Sequence, residues 1–179
     1  VVFLGGGPWG AAGGRDLPSL ADEVRLSHEC LALGIPQIGI GLGAQIVALG
    51  GGGVEAAPLT FEVVTATRTR DDALNGFMPA SFPAAVYMRD RPKPPAYADI
   101  LAVDPVGRPL VFQLGPKAFG FSGHPGLKRA MVEDLIMEFT DQPEDPGPGL
   151  QEIGRLGSAF EDALVGIMTG VIQLTGLMQ

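Results

Sequence analysis

Cysteine is almost missing: Cys30 is the single one in 179 residues. That excludes a disulfide framework and suits a reducing cytoplasm, the compartment expected here. Charge is scarce too, at 18%, and lopsided, with 12 Lys and Arg against 20 Asp and Glu for a net of −8. An acidic chain without a basic cluster is not built for nucleic acid or an anionic membrane. Its densest basic stretch, Arg89 to Lys93, is broken by Asp90 and Pro92 and reads as a solvated loop. No secretory-signal pattern is present, and no apolar run reaches the ~20 residues a membrane span needs. Metal ligands are equally thin. His28 and Cys30 sit two apart on one helix and lack further ligands, so no metal is expected. Gly50 to Gly53 lacks the Lys-Ser/Thr ending of a phosphate loop and follows a helix, so no cofactor is expected either.

What is present is core. Apolar residues make up 46%, enough for one globular domain at this length. Val1 to Leu4 reads as a buried strand ending in the turn Gly5-Gly6-Gly7-Pro8. Leu20, Val24, Leu31 and Leu33 among charges make Leu17 to Leu33 an amphipathic helix, closed by Gly34. Pro36 to Ile40 is a second strand and Leu42 to Leu49 a second helix. Phe61 to Thr67, Ala84 to Met88, Ile100 to Val103, Leu110 to Leu114 and Phe119 to Ser122 read as further strands, and Gly126 to Phe139 as a helix. This order predicts an α/β fold of three layers, a mostly parallel sheet flanked by helices.

The most informative stretch is Gly34 to Gln45, GIPQIGIGLGAQ. A strand runs into a tight turn among small residues and a helix leaves it, the layout of a nucleophile elbow. The segment resembles the class I glutamine amidotransferase signature, strand–Gly-Ile-Cys-Leu-Gly-x-Gln–helix, with Gly41 where the cysteine belongs. Other matches follow in order. FLGGGPWG, Phe3 to Gly10, resembles the family's oxyanion segment and puts Gly7 at the oxyanion position. Gly50 to Val54 resembles its Gly-Gly-x-Val, and Tyr87 to Pro95 takes the place of its substrate loop. FGFSGHPG, Phe119 to Gly126, resembles Gly-x-Gln-Phe-His-Pro-Glu. The resemblance covers Val1 to Phe139 and implies the family's flavodoxin-like three-layer fold. It also implies a strand, helix and further strand ahead of Val1, which another segment or chain would supply.

The departures carry the functional expectation. The family's triad is Cys–His–Glu, in which a thiolate attacks the amide carbon and His moves the proton. Here Gly41 replaces Cys, His124 is kept and Gly126 replaces Glu, while Arg89-Asp90-Arg91 replaces the substrate-loop Ser-His-x-Asp. No thioester can form on a glycine. The resemblance leaves a vestigial oxyanion and glutamine site at Gly7, Leu42 and Gln45. The expectation is a catalytically inactive relative: a structural or regulatory subunit of a ligase, transferase or amine oxidoreductase complex. Two alternatives stay open, a sensor binding a small amine or amide such as glutamine, and an enzyme of changed chemistry using His124 with Asp90 or Glu62.

The C-terminal third divides the chain: residues 1–140 as the domain, 141–156 as an acidic Pro/Gly-rich linker, 157–179 as an apolar helix. Leu164, Ile167, Val171, Leu174 and Met178 form a seam, and Gly166 with Gly170 makes a Gly-x-x-x-Gly step that admits a close neighbour. A helix apolar nearly all round is buried somewhere. The seam is expected to face another subunit, in a homo-oligomer or with a partner protein; packing on its own domain is the alternative.

Overall fold

The computed structural model describes residues 1–177. Its elements are β1 (Val2–Phe3), α1 (Leu20–Leu33), β2 (Gln37–Ile40), α2 (Leu42–Leu49), β3 (Gly53–Glu55), β4 (Thr60–Arg68), β5 (Ser81–Met88), β6 (Arg91–Lys93), β7 (Asp99–Val103), β8 (Pro109–Leu114), β9 (Ala118–Phe121), α3 (Arg129–Glu138), α4 (Gly147–Arg155) and α5 (Gly157–Thr175). Seven strands form one sheet in the order β1-β2-β9-β8-β7-β4-β5, and β3 pairs with β6 apart from it.

The α/β class expected from the sequence is the class observed, with a sheet that is mixed. Parallel pairing is confined to β1 with β2 and β2 with β9; the pairs β9–β8, β8–β7, β7–β4 and β4–β5 are antiparallel. Connection length decides this. Only short turns separate β7 from β8 and β8 from β9, too short for the crossover that parallel pairing requires.

Apolar side chains fill both faces of the sheet. On one, Phe3, Phe112 and Leu114 pack under α2 with Ile46 and Val47, and Leu20, Val24 and Leu31 of α1 close the edge. On the other, Ile38, Val111, Phe119 and Phe121 pack under α5 through Ala163, Ile167 and Val171. A third cluster ties Phe61 and Ala85 of the sheet to Val132 of α3, Ile153 of α4 and Phe160 of α5.

Two expectations for the C-terminal third are corrected here. The stretch 141–156 is no mere linker, because residues 147–155 form α4. Pro148 sits in the first turn, where a missing N–H costs no helical hydrogen bond. Ile153 is buried, and Gly149 lies against the Phe61 ring. The seam of α5 is also taken within the chain. Ile167, Gly170 and Val171 are buried and Leu164, Gly166 and Leu174 half-buried, while Met178 lies outside the described residues. The small-residue step meets a turn of its own domain: a Cβ at Gly166 would lie 2.6 Å from the Phe77 carbonyl oxygen, and one at Gly170 2.5 Å from that of Leu74. What α5 leaves to solvent is its opposite face, with Val165 and Met168.

Candidate functional site: a glycine elbow at the mouth of a cleft

The elbow exists as backbone. β2 ends at Ile40, α2 starts at Leu42, and Gly41 between them has φ 60° and ψ −117°. Few residues but glycine adopt that conformation without strain. Its N–H donates to the Phe121 carbonyl at 2.8 Å, and its carbonyl accepts from the Ala44 N–H at 3.0 Å. Strand and helix can close so tightly because Gly39 and Gly43 face each other and Gly43 faces Phe3; a Cβ at either would collide with main-chain atoms. A Cβ on Gly41 would instead point at Gly5, 3.4 Å from its Cα.

Gly41 opens into a cleft of about 630 Å³, which Gly5, Gly6, Gly7 and His124 also line. The structure thus brings together three of the positions read from the sequence: Gly7, Gly41 and His124. The other three lie elsewhere. Gly126 borders a separate recess beside Leu164. Leu42 and Gln45 do not line the cleft and are buried in α2, a correction to their expected place at a ligand. Gln45 Nε2 donates to the Arg89 carbonyl at 2.6 Å, and its Oε1 is buried with no partner among the described residues. Gln45 thus reaches the loop that follows β5, whose Arg89 carbonyl accepts from its side-chain amide N–H.

His124 follows β9, its N–H donating to the Ala85 carbonyl at 2.9 Å. Its Nδ1 accepts from the Gly126 N–H at 3.1 Å. Burial holds its pKa below the ordinary imidazole value. An Nδ1 that accepts carries no proton, so the neutral ring is protonated on Nε2. A ring oriented by a carboxylate has the opposite arrangement, with Nδ1 donating and Nε2 free to take a proton.

The loop in the substrate-loop position is bound up in its own contacts. Asp90, buried and at φ 59°, accepts from the N–H groups of Ala11 and Ala12, both at 3.0 Å, and of Ala57 at 3.1 Å. Arg89 donates to the Pro8 carbonyl at 3.0 Å and pairs with Asp141 at 2.7 Å, an acid that Arg15 also reaches at 2.7 Å. Glu62 pairs with Arg108 at 3.0 Å. Neither Asp90 nor Glu62 lines the cleft.

Sequence reasoning missed the cleft's outer wall. It is α3 and its flanks: Leu127, Met131, Leu135 and Phe139 offer apolar surface, and Asp134 and Glu138 stand at the opening. Tyr87, at the end of β5, also lines the cleft, and its hydroxyl is buried without a partner among the described residues. The Asp134/Glu138 spacing of one helical turn was a readable signal for a shared acidic face. Among the described residues no group of three or more His, Cys, Asp and Glu could hold a metal ion. No helix among them is long and apolar enough to cross a membrane.

No family model matches the sequence, and no curated protein matches it. Solved structures do resemble it. A glutamine amidotransferase from Thermotoga maritima has TM-score 0.77 at 21% identity, over 97% of this chain and 77% of that one. A glutamine amidotransferase from Methylobacillus flagellatus has TM-score 0.67 at 20% identity, over 89% of this chain and 73% of that one. PurLQS from Thermotoga maritima has TM-score 0.60 at 12% identity, over 96% of this chain and 78% of the matched one. The chain therefore has the glutamine-amidotransferase-like α/β fold.

Proposed function

We propose that this chain is a glutamine-amidotransferase-like protein without glutaminase activity, acting as a structural or regulatory subunit of a larger enzyme complex. The observation that carries it is Gly41. The elbow backbone is kept at φ 60°, yet no side chain is there to attack an amide carbon. His124 supports the same reading, since its proton sits on Nε2 and Gly126 offers no carboxylate to reverse it. PurLQS, whose fold is similar, is consistent with a subunit role. The partner would be a ligase, a transferase or an oxidoreductase acting on amines.

The test is ammonia release from glutamine, with any co-purifying protein present. The expected rate is that of the buffer blank, for the protein as it stands and for Gly41→Cys, whose thiol would find His124 in the wrong tautomer. Release above the blank that disappears in His124→Ala would overturn the inactive reading in favour of changed chemistry at the cleft. A second reading, a ligand held without turnover, is favoured by the cleft itself. Its volume of about 630 Å³ lies within the range typical of small-molecule sites.

A further inference from the structure

The cleft beside Gly41 has a chemical character that the ancestral substrate does not explain. Glutamine is a zwitterion with a carboxylate, and a carboxylate in a cleft is usually met by Arg or Lys. No Arg or Lys lines this one. Arg89, the cation in the substrate-loop position, is engaged by Asp141 and Pro8. The ionised groups at the opening are both acids, Asp134 and Glu138, on the last turns of α3.

Their placement favours a cation at the opening. Like charges one helical turn apart repel, and the C-terminal end of a helix carries the negative end of its dipole. No basic residue occupies the last turn of α3. The helix's own ion pair, Arg129 with Glu133, lies at its other end. Among the described residues neither Asp134 nor Glu138 is in an ion pair. The wall beside them is apolar, and the Tyr87 hydroxyl is buried without a partner among the described residues.

We propose that the cleft binds a small amine with an apolar body and no carboxylate, its ammonium group held by Asp134 and Glu138 and its body against Leu127, Met131, Leu135 and Phe139. The proposal rests on the reading of a ligand held without turnover. An arylalkylamine or branched alkylamine has the right distribution of charge and apolar surface. A free α-amino acid does not, because its carboxylate would face the two acids without a compensating cation.

The experiment is calorimetric titration of the full chain with 2-phenylethylamine, 2-phenylethanol, phenylalanine and glutamine. The amine is expected to bind more tightly than the alcohol, and the two amino acids more weakly than either. The double variant Asp134→Asn/Glu138→Gln should weaken the amine about three- to tenfold and leave the alcohol unchanged, the size two exposed charge pairs permit. Both positions are exposed, so that variant should fold. Asp134→Lys should move the preference from the amine toward phenylacetate. The proposal fails if no amine binds, if glutamine or the alcohol binds as well as the amine, or if the double variant leaves amine affinity unchanged. Ammonia release would overturn the inactive reading and leave this ligand class standing. A protein that releases no ammonia and binds no amine would overturn the ligand class alone.

Discussion

The backbone N–H of Gly126 points at Nδ1 of His124, 3.1 Å away. In the resemblance drawn from the sequence, position 126 should carry the carboxylate that orients the catalytic histidine. A main-chain donor now fixes the ring, and it fixes it with the proton on the wrong nitrogen. The contact that holds the ring also occupies Nδ1, so that nitrogen cannot take up a proton without breaking it.

This arrangement has a pH signature. Burial depresses the His124 pKa, and protonating Nδ1 would also cost the bond from Gly126. As the pH falls, the unfolded chain, with an ordinary imidazole near 6.5, takes up the proton first. Stability from this group is therefore full above about pH 6.5 and is lost as the pH drops below it. Urea midpoints at about pH 7.5 and about pH 5.5 should fall further in the wild type than in His124→Gln. Equal falls would mean that His124 titrates in the fold as it does in the unfolded chain.

The elbow makes a separate prediction. Gly41→Ala adds one methyl group, which has room beside Gly5 apart from a close 3.4 Å approach. The cost is then mainly backbone strain at φ 60°, roughly 1–3 kcal/mol. Denaturant titration of the two proteins measures it. An unchanged midpoint would mean that the turn relaxes to ordinary geometry and that Gly41 is not there for its conformation.

The elbow was legible in the sequence because small residues at fixed spacing mark a close crossing: Gly39 and Gly43 admit main-chain approaches that a Cβ would block, and Gly41 takes a φ that other residues avoid. Strands such as β4 and β8 were legible from β-branched and apolar runs. What stayed hidden depends on contacts distant in sequence. Pro148 and Gly149 read as linker residues until Phe61 supplies a surface for Gly149 to lie on. Gln45 matched a motif, but whether it faces the cleft or the Arg89 carbonyl is settled by the path of the loop after β5. The outer wall of the cleft was missed because Met131 and Leu135 look like any amphipathic stripe, and only the fold leaves them bordering an opening.

Asp90 looked like a candidate acid, yet three backbone N–H groups use its carboxylate. Asp90→Asn keeps the shape and tolerates φ 59° equally well. It removes the charge and turns a donor toward at least one of those N–H groups. The expected loss is roughly 1.5–3 kcal/mol. Amide exchange at Ala11, Ala12 and Ala57 should accelerate more than exchange in β8. Uniform acceleration across the chain would mean that Asp90 supports the whole fold and not this loop in particular.

The last prediction concerns α5, whose small-residue step suggested a partner helix and meets a turn of the same chain. A Cβ at Gly170 would lie 2.5 Å from the Leu74 carbonyl oxygen and 2.6 Å from its Cβ. That turn has little slack, because Leu74 and Asn75 already sit at φ 52° and 56°. Gly170→Ala must therefore push α5 off the sheet face where Ile167 and Val171 are buried, and overpacking of this kind costs roughly 1–3 kcal/mol. Val165, 69% exposed on the opposite face, is the control. Val165→Ser should stay within about 0.5 kcal/mol of the wild type and should alter sedimentation only if that outer face joins another subunit. Denaturation and sedimentation of the three proteins separate the two faces. If Gly170→Ala kept the wild-type midpoint but changed the sedimentation coefficient, the step would be serving an interface between chains after all, and the seat of α5 on its own domain would be wrong.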